Sequence, residues 1–320
     1  MSKTTPTPYV VGQPLDLVVT RTFDKQIRGR QLPLTITKTF EVTQSPVMVV
    51  TFVTESGPMD AVLKLYDRRF GRNFRTIRGK YSPHSSDDEA AWHEYVRKGM
   101  ADPFFRQLEE EEAASLLPLN PAHKHNDTSE GHAQYEGALQ RQAMAYFDTE
   151  TRTYEKLTDL QGAYIPTMLA HVCVSQPRLD LQTPEMELYF RIPGILIQRI
   201  DSCASLWELA ESQTPFGEQK LGDIVQMAVD EAVAVNNRGV VMNDCRPENV
   251  IIEQNTCQPF IHDFAQCFFE EACVEDPDDP DAPDYRACVI QSGNPRAIGM
   301  VMEMLVRRKL GYQLSINYRA

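Results

Sequence analysis

The chain lacks the features that mark a secreted, membrane-spanning or metal-clustered protein. Its seven cysteines, Cys173, Cys203, Cys245, Cys257, Cys267, Cys273 and Cys288, form no Cys-x-x-Cys pair, and their number is odd. That argues against a disulfide framework or structural zinc and fits reduced thiols in the cytoplasm. No apolar run reaches the roughly 20 residues of a spanning helix. The opening segment MSKTTPTPYVVGQ has no apolar stretch of the signal-peptide kind. A net charge of -13 also denies the chain the basic excess of a general nucleic-acid binder. Neither a membrane nor DNA is an expected partner.

What remains suits a folded enzyme-sized unit. The 320 residues are 42% hydrophobic, enough for a sizeable core. Residues 1–31 show no clear periodicity and are expected to form a leader that packs late or frays. Strand patterns then follow. Leu34 to Phe40 alternates and is rich in β-branched residues, Val47 to Val53 is a second run, and Ala61 to Tyr66 a third. Three short strands in succession predict an antiparallel meander. Residues 67–148 are charged and mostly helical in composition, and are read as an insertion. Within it Asn120 to His132 is expected to be a loop, with His123, His125 and His132 lacking the spacing of a metal site.

A core helix is predicted from about Tyr135 to Leu160. Strands follow at Val172–Cys173, Met186–Arg191 and Ile195–Ile197, then a helix over Leu221–Asn236 with Leu221, Ile224, Ala228, Ala232 and Val235 on one side. Val250–Ile252 and Pro259–Ile261 flank a turn, and Ile298, Val301, Met302, Leu305 and Val306 mark a last amphipathic helix. Strands first and helices later predict two unlike parts, 32–195 and 196–320, joined near 195–202 with a ligand cleft at the joint.

Four short segments carry chemistry. Asp244-Cys245-Arg246-Pro247-Glu248-Asn249 follows an apolar helix and precedes a strand, and Asp263-Phe264-Ala265 follows the next strand. Lys64 sits inside the apolar run Ala61 to Leu65, where a lysine needs a carboxylate or phosphate partner. Glu150 and Glu155 lie on the predicted core helix, and Gly194 to Ile200, with Gln198 and Ile200, forms the expected connection.

In these segments the chain resembles the protein kinase family and its aminoglycoside and choline kinase relatives, whose catalytic loop has an Asp, a basic residue and an Asn five positions on, followed by an Asp-Phe-Gly. The resemblance implies an α+β, bilobal protein-kinase-like fold, with an antiparallel-sheet N-lobe, a helical insertion and a reduced helical C-lobe. It implies Asp244 as the base with Arg246 and Glu248 beside it, and Asn249 and Asp263 as magnesium ligands. Lys64, paired with Glu150, and the connection at Gln198 and Ile200 would hold ATP. The stretch after Asp67-Arg68-Arg69-Phe70 is similar to fungal kinase-like proteins. A transferase acting on a small molecule in secondary metabolism is the resulting expectation.

The family pattern is incomplete. Glu41 to Val47 has no glycine where kinases bring backbone amides onto phosphates, and Pro46 removes a donor. Met242 stands where a histidine is usual, Ala265 replaces the glycine, and no Ala-Pro-Glu follows. A protein substrate is therefore not expected. The missing glycines fit a second expectation, a kinase fold resembling the fungal arginine-containing cyclodipeptide synthases, which use charged tRNA and no ATP. Asp244 would then be base toward an amine, with Asp244, Glu248 and Asp263 holding an arginine side chain. Its tRNA contact would be a helix over 68–80 with Phe70, Phe74 and Ile77 inward and Arg68, Arg72, Arg75 and Lys80 toward solvent. A third is a non-catalytic binding module, recruiting partners through the acidic stretch Glu275 to Asp284.

Overall fold

The computed structural model describes residues 4–114, 120–175, 183–211, 216–273 and 284–318. In chain order it forms β1 (Pro14–Thr22), β2 (Gln31–Thr39), β3 (Val47–Thr54), β4 (Gly57–Leu65), β5 (Thr76–Ile77), β6 (Lys80–Tyr81), α1 (Ser86–Arg97), α2 (Ala101–Ala113), α3 (Ser129–Lys156), β7 (Met168–Val174) and β8 (Pro193–Gln198). Then follow β9 (Ser202–Ser205), α4 (Leu206–Glu211), α5 (Glu218–Asn236), β10 (Val240–Met242), β11 (Val250–Glu253), β12 (Pro259–Ile261), β13 (Cys267–Phe269), α6 (Tyr285–Ser292) and α7 (Asn294–Lys309). Helices and strands are mixed along the chain, an α+β composition. The chain divides into two compact units, Met1–Phe147 with Leu169–Ile197, and Asp148–Met168 with Gln198–Ala320.

Unit 1 is built on a closed barrel in the order β1-β2-β3-β4-β8-β7. β2 shows why it forms: Leu32, Leu34 and Ile36 point inward while Gln31, Pro33 and Thr35 point out, the period-2 pattern of a half-buried strand. β1 lies inside the stretch read as a leader. It pairs with β2 through Leu17↔Leu32 and with β7 through Leu17↔Val174, so the expected open meander closes and loses its edges. Leu17 of β1 is fully buried, with Leu15 and Val19 packed on the same core face.

The expected helix over 68–80 is absent. Turns lead instead into the β5–β6 hairpin, whose tip, Arg78 and Gly79, has φ of 51° and 74°, the pair of positive values a two-residue hairpin loop of this hand demands. The helices of the insertion pack around Trp92, with Tyr95, Phe104, Leu108, Ala133 and Phe190. Gly137 is required here, because a Cβ on it would lie 2.8 Å from the Trp92 ring. The strand expected at Met186–Arg191 is a short 3-10 helix, Pro184–Phe190, started by its proline and held by Trp92 Nε1 donating to Tyr189 O. α3 begins at Ser129, so the insertion read as 67–148 shares residues with the core helix, and the loop read at 120–132 contains a 3-10 turn, Pro121–Lys124.

Unit 2 holds two small antiparallel sheets, β9-β11-β12 and β10-β13. α5 packs Leu221, Ile224, Val225, Ala228, Ala232 and Val235 inward against α7, which offers Ile298, Met302, Leu305 and Val306. Apart from Asp284, the acidic stretch 275–284 lies outside the described residues.

Candidate functional site

The site segments of unit 2 are the two connections that its sheets hold in place. β10 pairs with β13 through Met242↔Cys267, and β11 pairs with β12 through Val250↔Ile261. Residues 243–249 link β10 to β11, and residues 262–266 link β12 to β13. Each connection therefore starts in one strand pair and ends in the other, which sets the two side by side. Main-chain bonds tie them again, from Asn243 N to Gln266 O at 2.8 Å and from His262 N to Asn249 O at 3.0 Å.

Asp244 is half-buried, and Arg246, exposed, places Nη2 3.2 Å from its Oδ2. Asn249 is buried and donates through Nδ2 to Asp244 O at 2.8 Å. That bond fixes the amide, and among the described residues Asn249 Oδ1 accepts no hydrogen bond. Asp263 has φ of 68°, the left-handed region that a residue with a Cβ occupies at a cost of about 1–2 kcal/mol. Strain of this kind concentrates where function sets the geometry. Burial, then Glu150 and then Asp263, raises the Tyr154 hydroxyl well above its usual range. Burial and the same two carboxylates raise the Cys267 thiol, so Glu150 and Asp263 act on common neighbours. Burial, assisted by Asp244, pushes the Cys245 thiol up to about 12.

The remaining expected residues are placed differently. Glu248 is exposed, and among the described residues makes no hydrogen bond or ion pair; it points away because Pro247 and Asn249 on either side are buried. Gln198 gives its N–H to Thr167 O at 2.8 Å and accepts at Oε1 from Thr167 N and Oγ1. Those groups are therefore engaged within the fold, while Ile200 is partly exposed. Lys64 is buried in β4, which lies between β3 and β8 and is no edge strand. Its ammonium stands 5.7 Å from the Tyr66 ring centre. Lys64 belongs to unit 1 and Glu150 to unit 2.

The basic stripe is corrected. Arg68 and Arg75 are 4% and 0% exposed because both bind Glu136, itself wholly buried. Arg68 also reaches Glu89 at 2.6 Å, and Arg75 donates to the carbonyls of Ser82 and Arg68. Of the four, Arg72 and Lys80 face solvent.

The segment between β2 and β3 offers carbonyls inward to its own unit. Arg72 N donates to Val42 O at 3.2 Å and Asn73 N to Thr43 O at 2.7 Å. Gly71, with φ of 127°, lies so close that a Cβ would sit 2.5 Å from Gln44 O.

The sequence reading missed a pair of asparagines. Asn294, 1% exposed, accepts from Met242 N at 3.0 Å and donates to Met242 O at 2.6 Å, acting as a third strand beside β10. Asn236 Nδ2 bonds both Asn294 Oδ1 and Val240 O. The signal was available: Gly293-Asn294-Pro295 opens a helix, and Asn236 ends one.

Magnesium takes hard oxygen donors, and an amide oxygen with a carboxylate is such a set. Asn249 and Asp263 fit it in kind. Among the described residues no three His, Cys, Asp or Glu side chains are grouped to hold a metal ion.

No protein-family model and no curated protein sequence matches the chain. Crystal structures of the Mycobacterium tuberculosis PknI kinase domain are similar to it. One of them, a double mutant of that domain, shares 12% identity over 86% of this chain and 74% of that one, with a TM-score of 0.38. Another structure of the domain shares 12% identity over 84% of this chain and 71% of that one, also with a TM-score of 0.38. Likeness at this level carries no argument, and the functional case rests on the residues themselves.

Proposed function

We propose that the chain is a kinase-like transferase that moves the terminal phosphoryl group of ATP to a hydroxyl of a small molecule. The observation that carries this reading is the double tie between connections 243–249 and 262–266, which puts an Asp, an Arg, an Asn and a strained Asp on two adjoining loops. Asp244 orients the acceptor hydroxyl and takes its proton as the new O–P bond forms and the bond to the leaving ADP breaks. Arg246, its Nη2 3.2 Å from Asp244 Oδ2, holds that carboxylate in place and offers positive charge toward solvent. Asn249 Oδ1 and the Asp263 carboxylate would hold magnesium, which supplies neutralising charge on the phosphate oxygens. Two protein donors suit an ion that completes its shell with phosphate oxygens and water.

The test is a titration of the purified protein with ATP, with and without magnesium, in wild type and Asp263→Ala. Binding that needs magnesium and disappears in the variant is expected. Absence of binding at millimolar ATP would sink the reading.

A second reading is supported by the β2–β3 segment, whose carbonyls are tied down by Arg72 and Asn73 and which presents no glycine amides. A kinase fold used as an aminoacyl-tRNA-dependent cyclodipeptide synthase needs no such cradle. Asp244 would then accept a proton from an attacking amine, and Arg72, Arg78 and Lys80 are the exposed cations of the 68–80 stretch. A dipeptide product formed from charged tRNA without ATP would replace the first reading with this one.

A further inference from the structure

Two thiols of unit 2 stand in contact outside the candidate site. Cys273 Sγ and Cys288 Sγ are 3.5 Å apart, on residues 15 positions apart in the chain. Cys273 closes the 3-10 turn Glu270–Ala272 that follows β13, and Cys288 lies in the second turn of α6. Both residues are partly exposed, so a small solute can reach them.

Each sulfur is positioned by bonds that do not involve the other. On one side Glu270 N donates to Gly239 O at 3.0 Å and Cys273 N to Glu270 O at 2.9 Å. On the other, Asp284 caps α6 by accepting from Ala287 N at 2.6 Å, Cys288 N donates to Asp284 O, and the Tyr285 hydroxyl donates to Asn236 O at 2.5 Å. A disulfide needs an S–S distance of about 2.05 Å, so closing the pair takes a movement of about 1.5 Å.

We propose that Cys273 and Cys288 form a reversible disulfide when the protein meets hydrogen peroxide. One thiolate attacks the peroxide oxygen, breaking the O–O bond and leaving a sulfenic acid and one water. The second thiolate then attacks that sulfur, forming the S–S bond and releasing a second water once protons are counted. Two electrons pass from the sulfurs to the peroxide. The link fastens the end of β13 to α6. β13 pairs with β10, and α6 leads through Gly293 to Asn294, which binds Met242 of β10. The oxidised form therefore clamps the frame of the candidate site from both sides.

Burial, then the neighbouring Cys288, with Glu270 and Asp284 also facing it, pushes the Cys273 thiol up to about 11. A raised Cys273 thiol leaves less of its thiolate at neutral pH, so attack by that sulfur quickens as pH rises.

The experiment exposes the full chain to hydrogen peroxide at neutral and mildly alkaline pH and follows intact mass and proteolytic peptides. The expected product has lost two hydrogens, yields a peptide joining Cys273 to Cys288, forms faster at the higher pH and reverts with dithiothreitol. Cys273→Ser and Cys288→Ser should each abolish that peptide, while Cys257→Ser leaves it. Thermal unfolding of the oxidised wild type should rise by about 4 °C and fall back on reduction. Peroxide products carrying added oxygen with no cross-link, or a cross-link that maps to other cysteines, would overturn the proposal.

Discussion

In unit 1 the guanidinium groups of Arg68 and Arg75 close on a wholly buried Glu136, with Glu89, His84 and Asp88 around them. In unit 2 Asp244 and Arg246 meet at 3.2 Å in partial contact with solvent, and Asp263 holds left-handed backbone. The first arrangement spends charge on holding loops and helices together. The second keeps charge near the surface, where a ligand can reach it, and holds it through main-chain and asparagine bonds. Charge density in a sequence therefore marks neither a surface nor a site: the most basic stretch of this chain, 68–80, is structural in half of its candidate contacts.

The largest effect should come from unit 1. Glu136→Ala removes the carboxylate that two buried guanidinium groups share, leaving Arg68 with Glu89 and Arg75 with carbonyls, and breaking a buried pair costs about 3–5 kcal/mol. Denaturant midpoints would show it, and a change under about 1 kcal/mol would mean that water reaches the cluster.

The two units should also differ in their response to pH. Burial alone would raise Asp67, but Arg69 holds it below its usual value, and Arg68 and His84 do the same for Glu89. A depressed carboxylate stabilises above its unfolded pKa, about 4, and that stabilisation is lost as pH falls through the folded value. Glu231 of unit 2 is the opposite case. Burial pushes it up to about 10, against its hydrogen bond from Gln258. The folded form keeps a proton that the unfolded form releases from about pH 4.5, so stability falls as pH rises from there toward 10. Glu231→Gln mimics the protonated acid and should gain about 3 kcal/mol at pH 7 while flattening this slope. Thermal unfolding from pH 5 to 9 checks it; parallel curves for variant and wild type would contradict it.

A smaller loss, about 2 kcal/mol, is expected for Asn294→Ala, which leaves Met242 N and O without their partner. Because the same bonds position residues 243–249, the variant should lose activity even at temperatures where it remains folded. Retained activity would show that β10 is set by β13 alone.

Much of this arrangement was legible. β2, β3 and β4 carry strand patterns with turn residues between, α5 and α7 carry one apolar face, and the Asp244-to-Asn249 segment precedes a strand and Asp263 follows one as expected, whereas β10 before the first and β13 after the second were not foreseen. What was hidden depends on distant partners. In β1 Leu15, Leu17 and Val19 share the core face, but the run is short, Val18 interrupts its alternation, and its pairing partner β7 lies far along the chain. Arg68 and Arg75 looked solvent-facing because the carboxylate that buries them, Glu136, is more than sixty residues away. Asn294 drew no notice in the sequence, because its role comes from meeting the backbone of Met242 fifty-two residues earlier. Local pattern reports a residue's own element and leaves its long-range partner unseen.

The smallest expected stability effect gives the most direct test. Asp263→Gly removes the left-handed strain at φ 68°, offset in part by the greater freedom of glycine in the unfolded chain, for a net gain of about 0.5 kcal/mol. Thermal unfolding and magnesium-dependent ATP binding should be measured on the same preparation. The expected result is a variant at least as stable as wild type that no longer binds ATP in response to magnesium. A stable variant whose magnesium-dependent binding matches wild type would contradict the claim that Asp263 is held in this conformation for the ligand.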